Sequence, residues 1–236
     1  MYFGEYYIPK LNYDLSFPDP LQASDEGLLA YGGDLSPSRL LLAYRKGIFP
    51  WFSEGDPILW WSPNPRLVLY LDDFKVRRSL KKRIKNGGFE VKFDTNFKDV
   101  LIGCANVKRK DQDQTWLTPT MQEAYLTLHQ MGYAHSVETY LNGELVGGLY
   151  GISIGKAFFG ESMFALASDA SKIALAKLVE HLKEWEFHFI DAQVETEHLV
   201  SLGAKSISRE KFIKDLNNSI IHETKNGNWS IIKEVI

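Results

Sequence analysis

An α+β fold is predicted by three features of the chain: capped helical segments in its first half, strand-like runs joined by Asn142-Gly143, and a helix followed by a buried strand behind them. No periodic repeat competes with that order, and helices segregated from a run of adjacent strands make an α+β domain.

The elements follow in sequence. Roughly the first sixty residues are dense in Pro, Gly and Trp and hold one well-marked helix, SPSRLLLAYRKG. Ser36 suits its cap, Pro37 its first turn, Arg45 and Lys46 its last, and Gly47 its stop. WFSEGDPILWWSPNPR then leads into the strand-like LVLYL, which places a boundary near Arg66: a small domain over 1–66 and a larger one over 67–236. So many aromatics in a short loop-rich segment need a surface to bury against, so the small unit is expected to lean on the larger.

From Asp72 the pattern is helical, with Val76, Leu80 and Ile84 in one seam and Gly87-Gly88 as the stop. Away from the seam run Lys75, Arg77, Arg78, Lys81, Lys82, Arg83 and Lys85, which suit either a solvated face or the binding of phosphates. A second basic cluster, Lys108-Arg109-Lys110, sits in a polar loop; Asp111 and Asp113 within it are discounted as metal ligands. TPTMQEAYLTLHQMG reads as a helix capped by Thr118, begun by Pro119 and stopped by Gly132. AHSVETYL, Asn142-Gly143, ELVGGLYGISIG and KAFFGESMF read as an antiparallel meander. After Ser168 and Asp169 a helix carries Leu175, Leu178, Val179, Leu182 and Trp185 on one side. FHFIDAQV follows as a buried strand, and REKFIKDLNN as a short last helix.

With 236 residues and a formal net charge of -3, the chain argues against a generally basic nucleic-acid coat but leaves room for a local basic patch, so any RNA contact must be regional. The single cysteine, Cys104, leaves no internal disulfide. The start MYFGEYYIPK lacks a basic n-region and an apolar h-region, and no apolar run reaches spanning length, so a cytoplasmic location is expected. The six histidines show no paired spacing with one another or with cysteine, and neither a metal nor a cofactor is expected.

GISIG matches G-x-S-x-G, but a strand follows Gly155 where a nucleophile elbow needs a helix, so Ser153 reads as a strand residue. Gly147 and Gly148 precede no helix and fit a bulge or a close approach of another chain or ligand better than a phosphate cradle. Two acids stand in apolar strand-like settings, Glu161 in FFGESMF and Asp191 in FIDAQV. Strand alternation puts Asp191 and Gln193 on one face, so an amide can lie beside the carboxylate. A polar spot in a dry wall is implied, and its ligand is cationic.

FPDPLQASDEGLLAYGGDLSPSRLLLAYRKGIFPWF, WWSPNPR, TWLTPTMQEAYLTLHQMGYAHSVE, LVGGLYG, FFGESMF, DASKIALAKL, IDAQV and SLGA occur in an order that resembles the bacterial leucyl/phenylalanyl-tRNA–protein transferases, from about Phe17 to Ile213. The resemblance implies a GNAT-like C-terminal domain with a small N-terminal one. It further implies transfer of Leu or Phe, Met more weakly, from aminoacyl-tRNA to the α-amine of proteins beginning with Arg or Lys, marking them for N-degron proteolysis. On this resemblance Asp191 and Gln193 fall on the catalytic pair, with Asp191 orienting the amine and accepting its proton directly or through Gln193. Glu161 would face the cationic acceptor or hold the terminal adenosine's hydroxyls. Trp51, Trp116, Met163 and Phe164 would form the pocket for the Leu or Phe side chain, and Arg77, Arg78, Lys81 and Lys82 would grip acceptor-stem phosphates. His135 and Glu138, in the word HSVE, suit structural positions as well as functional ones. A monomer is expected. The chain departs from the family pattern at Ala165-Leu166, where many relatives carry polar or basic residues.

Two other readings share parts of this pattern. An acetyl-CoA-dependent N-acetyltransferase wants an R/Q-x-x-G-x-G/A loop before the helix at Asp169, where the chain has FFGESMFALAS. A non-catalytic tRNA-binding protein would use the basic helix alone and leave Asp191 and Gln193 without a role.

Overall fold

The computed structural model describes residues 1–107 and 116–231; the basic cluster at Lys108-Arg109-Lys110, with Asp111 and Asp113, lies outside them. A hairpin of β1 (Tyr2–Phe3) and β2 (Tyr6–Tyr7) precedes a four-stranded sheet of β3 (Lys10–Leu11), β4 (Leu28–Gly32), β5 (Phe49–Pro50) and β6 (Leu59–Trp61), with α1 (Pro37–Arg45) between β4 and β5. The Ser36 hydroxyl accepts from the Arg39 amide and Pro37 opens the helix, as the sequence predicts. Gly47 follows it at φ +72°, where a Cβ would meet Phe212 and Ile213 at 2.7 Å. Trp60 is fully buried and its indole N–H donates to the Gly32 carbonyl. Its burial continues into one apolar cluster with Tyr44, Phe49, Tyr125 and Phe159, so the aromatic-rich segment does lean on the rest of the chain.

β7 (Arg66–Tyr70), α2 (Arg78–Asn86), β8 (Phe89–Phe93), α3 (Phe97–Ala105), α4 (Pro119–Gln130), β9 (Ala134–Leu141), β10 (Glu144–Ile154), β11 (Ala157–Ala165), α5 (Ala170–Glu184), β12 (Phe189–Gln193), α6 (Glu197–Ser201), β13 (Lys205–Ile207) and α7 (Arg209–Ile220) follow among the described residues. Seven of these strands form one sheet in the order β13-β7-β12-β11-β10-β9-β8. The meander β9-β10-β11 is antiparallel and turns at Asn142 and Gly143, both at positive φ. Ser153 is a buried residue of β10. On one face, α3 and α4 contribute Val100, Leu101, Tyr125 and Leu128 to the core; on the other, α5 contributes Leu175, Leu178, Val179 and Leu182. Gly147 lets α5 approach the sheet closely: a Cβ there would lie 2.5 Å from that of Ala170 in α5.

The basic helix is shorter than its pattern suggests. Leu71–Asp73 form a 3-10 turn, and Phe74 and Arg77 are extended. The Lys75 amide donates to the Leu202 carbonyl at 2.8 Å, which holds the chain straight until Arg78. Leu80 is the one buried residue of α2, and Val76 lies outside the helix. The last segment also joins the core: Trp229 stacks on His135 at 3.6 Å between centroids, and its amide donates to Asp94.

Candidate active site

β11 and β12 run parallel, but they pair only as far as Phe159 and Asp191. Each carries an irregularity at that point. Against β10, Tyr150 faces Ser162 and Gly151 faces Gly160, leaving Glu161 as an extra residue. Against β7, Val68 faces Asp191 and Leu67 faces Gln193, leaving Ala192 extra. Such bulges re-aim side chains, and here two of them lie side by side where the strands part.

The consequence is a cavity of about 540 Å³ whose wall includes Glu161, Gln193, Trp51, Trp116 and Met163. Its floor is apolar, with Leu149, Leu175 and Leu178 among the lining residues. Gln193 adopts φ +63°, and its side-chain Nε2 donates to Glu161 Oε1 at 2.8 Å. Tyr125 Oη donates to Glu161 Oε2 at 2.7 Å, and Tyr44 Oη lies 2.9 Å from Tyr125 Oη. Burial pushes the Glu161 carboxyl up to about 7, while hydrogen bonds from Tyr125, Tyr44 and Gln193 pull the other way. Burial, reinforced by the Glu161 charge, raises both tyrosine hydroxyls well above their ordinary range, so they act as donors. A carboxyl poised near neutrality beside a fixed amide can take up a proton at cellular pH.

Asp191 is placed otherwise than alternation predicts. The extra Ala192 and the left-handed turn at Gln193 part the two side chains, so Gln193 faces the cavity and Asp191 the interior. Asp191 is fully buried and takes a bidentate ion pair from Arg66, with Nε to Oδ1 at 2.8 Å and Nη2 to Oδ2 at 2.7 Å. Oδ1 also accepts the Gln193 amide at 3.0 Å. Direct orientation of an amine by Asp191 is therefore corrected: its carboxylate is fully buried and lies outside the cavity wall that Glu161 and Gln193 line.

Phe164 is also corrected as a pocket residue. It is buried on the opposite side of β11 from Met163, against α3, where a Cβ on Gly103 would lie 2.7 Å from its ring. His135 and Glu138 are built into the interior, His135 on Asp94 and Glu138 on Thr95 and Ser136. Tyr44, Tyr125 and Arg66 escaped the sequence reading. The tyrosines sit within helices whose sequence carries no mark of a site, and Arg66 meets its partner across 125 positions of sequence.

On α2 and just before it, Arg77, Arg78, Lys81 and Lys82 are all exposed, and among the described residues none of the four forms an ion pair. Arg83 differs, lying 3.9 Å from Asp169 and over the Phe89 ring.

A family model described as leucyl/phenylalanyl-tRNA protein transferase matches residues 68–217, and one described as the N-terminal domain of that transferase matches 33–64. The chain is 56% identical over 229 residues to the leucyl/phenylalanyl-tRNA--protein transferase of Sulfurimonas denitrificans, covering 95% of this chain and 98% of that one. It is 53% identical over 214 residues to that of Myxococcus xanthus, covering 91% and 92%. Among solved structures, a GCN5-related N-acetyltransferase from Kribbella flavida aligns with 71% of this chain and 60% of its own, at 10% identity and a TM-score of 0.37. The matched segments carry Glu161, Gln193 and the cavity that joins them, and the chain belongs to the leucyl/phenylalanyl-tRNA–protein transferase family.

Proposed function

We propose that the protein moves Leu or Phe, and Met more weakly, from aminoacyl-tRNA to the α-amine of proteins whose first residue is Arg or Lys, marking them for N-degron proteolysis. The observation that carries this reading is the convergence of Glu161 and Gln193 on a largely apolar cavity walled by Trp51, Trp116 and Met163. The side chain of the transferred residue suits the apolar wall, and the acceptor amine suits the polar corner. The ester donor is already activated and an α-amine with a pKa of about 8 is partly neutral in the cytoplasm, so catalysis rests on positioning and proton removal. Residues 1–66 form the smaller domain and 67–236 the transfer domain, working as a monomer in the cytoplasm. Arg77, Arg78, Lys81 and Lys82 hold the phosphates of the acceptor stem.

The test is mass spectrometry of a peptide with N-terminal Arg, incubated with the protein and either Phe-charged tRNA or acetyl-CoA. The expected result is a Phe-sized gain that needs the charged tRNA and disappears when the peptide is N-acetylated. An acetyl gain would overturn the donor, and no gain with either donor would leave only RNA binding.

A further inference from the structure

We propose that Arg66 is a positioning residue for the transfer: it withholds Asp191 from proton exchange, fixes the Gln193 amide through it, and leaves Glu161 as the group that takes the acceptor's proton. This inference rests on the transferase reading above.

The geometry is a chain of fixed contacts. The Arg66 guanidinium meets Asp191 edge to edge with two hydrogen bonds, and the two residues are 1% and 0% exposed. The rings of Phe49 and Phe212 lie over it at 4.8 and 4.5 Å. A flat cation packed against two rings and bonded along one edge is restrained in its plane, which Lys does not supply. Asp191, fixed in this way, accepts the Gln193 amide, and this bond supports a backbone conformation that glutamine seldom adopts.

Gln193 then spends its side-chain NH₂ on Glu161 Oε1. That donation sets the amide's orientation and leaves its carbonyl oxygen as the acceptor for an incoming amine. Of the two carboxylates only Glu161 lines the cavity. Phe49 is followed by Pro50 and Trp51 in the cavity wall, so Arg66 also connects the apolar wall to the polar corner.

In the transfer the amine nitrogen bonds to the ester carbonyl carbon, and the bond from that carbon to the ribose oxygen breaks. Glu161 takes one proton from nitrogen, and the departing ribose oxygen gains one, which Glu161 returns directly or through the vicinal hydroxyl. No proton is gained or lost overall.

The experiment measures Phe transfer to the Arg-peptide across neutral pH for the wild type and four variants: Arg66→Lys, Asp191→Asn, Glu161→Gln, and the double variant Arg66→Met with Asp191→Leu. The double variant removes both buried charges together and so keeps the fold testable even where a single truncation strands a charge. Arg66→Lys and the double variant are expected to lower kcat about tenfold or more, leave KM for the charged tRNA unchanged, and keep the acid limb with its midpoint near 7. Glu161→Gln is expected to lose that limb, while Asp191→Asn keeps it. Wild-type kcat in the double variant would overturn the role of Arg66. Loss of the limb in Asp191→Asn with its retention in Glu161→Gln would return the proton to Asp191. Absence of transfer by the wild type would instead sink the transferase reading itself.

Discussion

Tyr125 reaches from α4 to Glu161, its hydroxyl 2.7 Å from Oε2, so one side of the polar corner is held by a helix and the other, through Gln193, by a strand. Removing the hydroxyl in Tyr125→Phe takes away a donor to a carboxylate, an interaction worth about 1.5–3 kcal/mol. The protonated form gains, and the acid limb of the rate profile should move to higher pH. Turnover at neutral pH should fall about tenfold at unchanged KM for charged tRNA. An unmoved midpoint would mean that Tyr125 only fills space.

The raised Glu161 carboxyl also makes stability depend on pH. Between the ordinary value of 4.5 and about 7, the folded chain holds a proton there that the unfolded chain has released. Its contribution is full below about 4.5 and is lost as pH rises through about 7. Glu161→Gln has no charge to bury, so it should melt higher than the wild type at alkaline pH, by on the order of 2 kcal/mol, with the gap closing in acid. Its transfer rate should nevertheless be about a hundredfold lower. Thermal melts in a pH series, paired with rates, check both halves.

The proposed phosphate contacts predict a salt signature. Replacing Arg78, Lys81 or Lys82 by Ala should weaken binding of charged tRNA without altering discrimination between Leu and Phe. Each change should reduce the slope of log affinity against log salt by about one. Filter binding at several salt concentrations reads the slope directly. Binding insensitive to salt would place the tRNA elsewhere.

Gly203 packs against the turn that precedes the basic helix. It has φ +110°, and a Cβ there would lie 2.1 Å from the Asp73 carbonyl oxygen. Gly203→Ala must therefore strain the turn and push apart the segment that Leu202 holds through Lys75. A loss of about 2 kcal/mol or more is expected, which for a chain of this size lowers Tm by roughly 4–8 °C. Calorimetry or a dye melt checks it.

Much of this architecture is legible in the sequence because local chemistry dictates it. Ser36 and Thr118 cap helices wherever a Pro and an apolar face follow, and Asn142-Gly143 favours a tight turn whatever surrounds it. The site is less legible, since alternation holds only while a strand keeps its register. One extra residue beside each of two partner strands sends Asp191 inward and Gln193 outward, and no pattern in FIDAQV announces it. Phe164 fails as a pocket residue for the reverse reason: alternation does hold between Met163 and Phe164, so neighbours in sequence cannot share one wall. Tyr44, Arg66 and Tyr125 take their roles from partners distant in sequence.

The paired irregularities in β11 and β12 bear on what substrate binding has to cost. A site assembled from loops must surrender conformational freedom each time it closes, and that loss is charged against affinity. Glu161 and Gln193 stand instead on strands of the main sheet, and Asp191 beside them is locked to Arg66. Their freedom is given up once, when the chain folds. In the proposed transfer the tRNA end and the protein N-terminus meet a corner already ordered, and the interaction free energy they bring can go into the transition state.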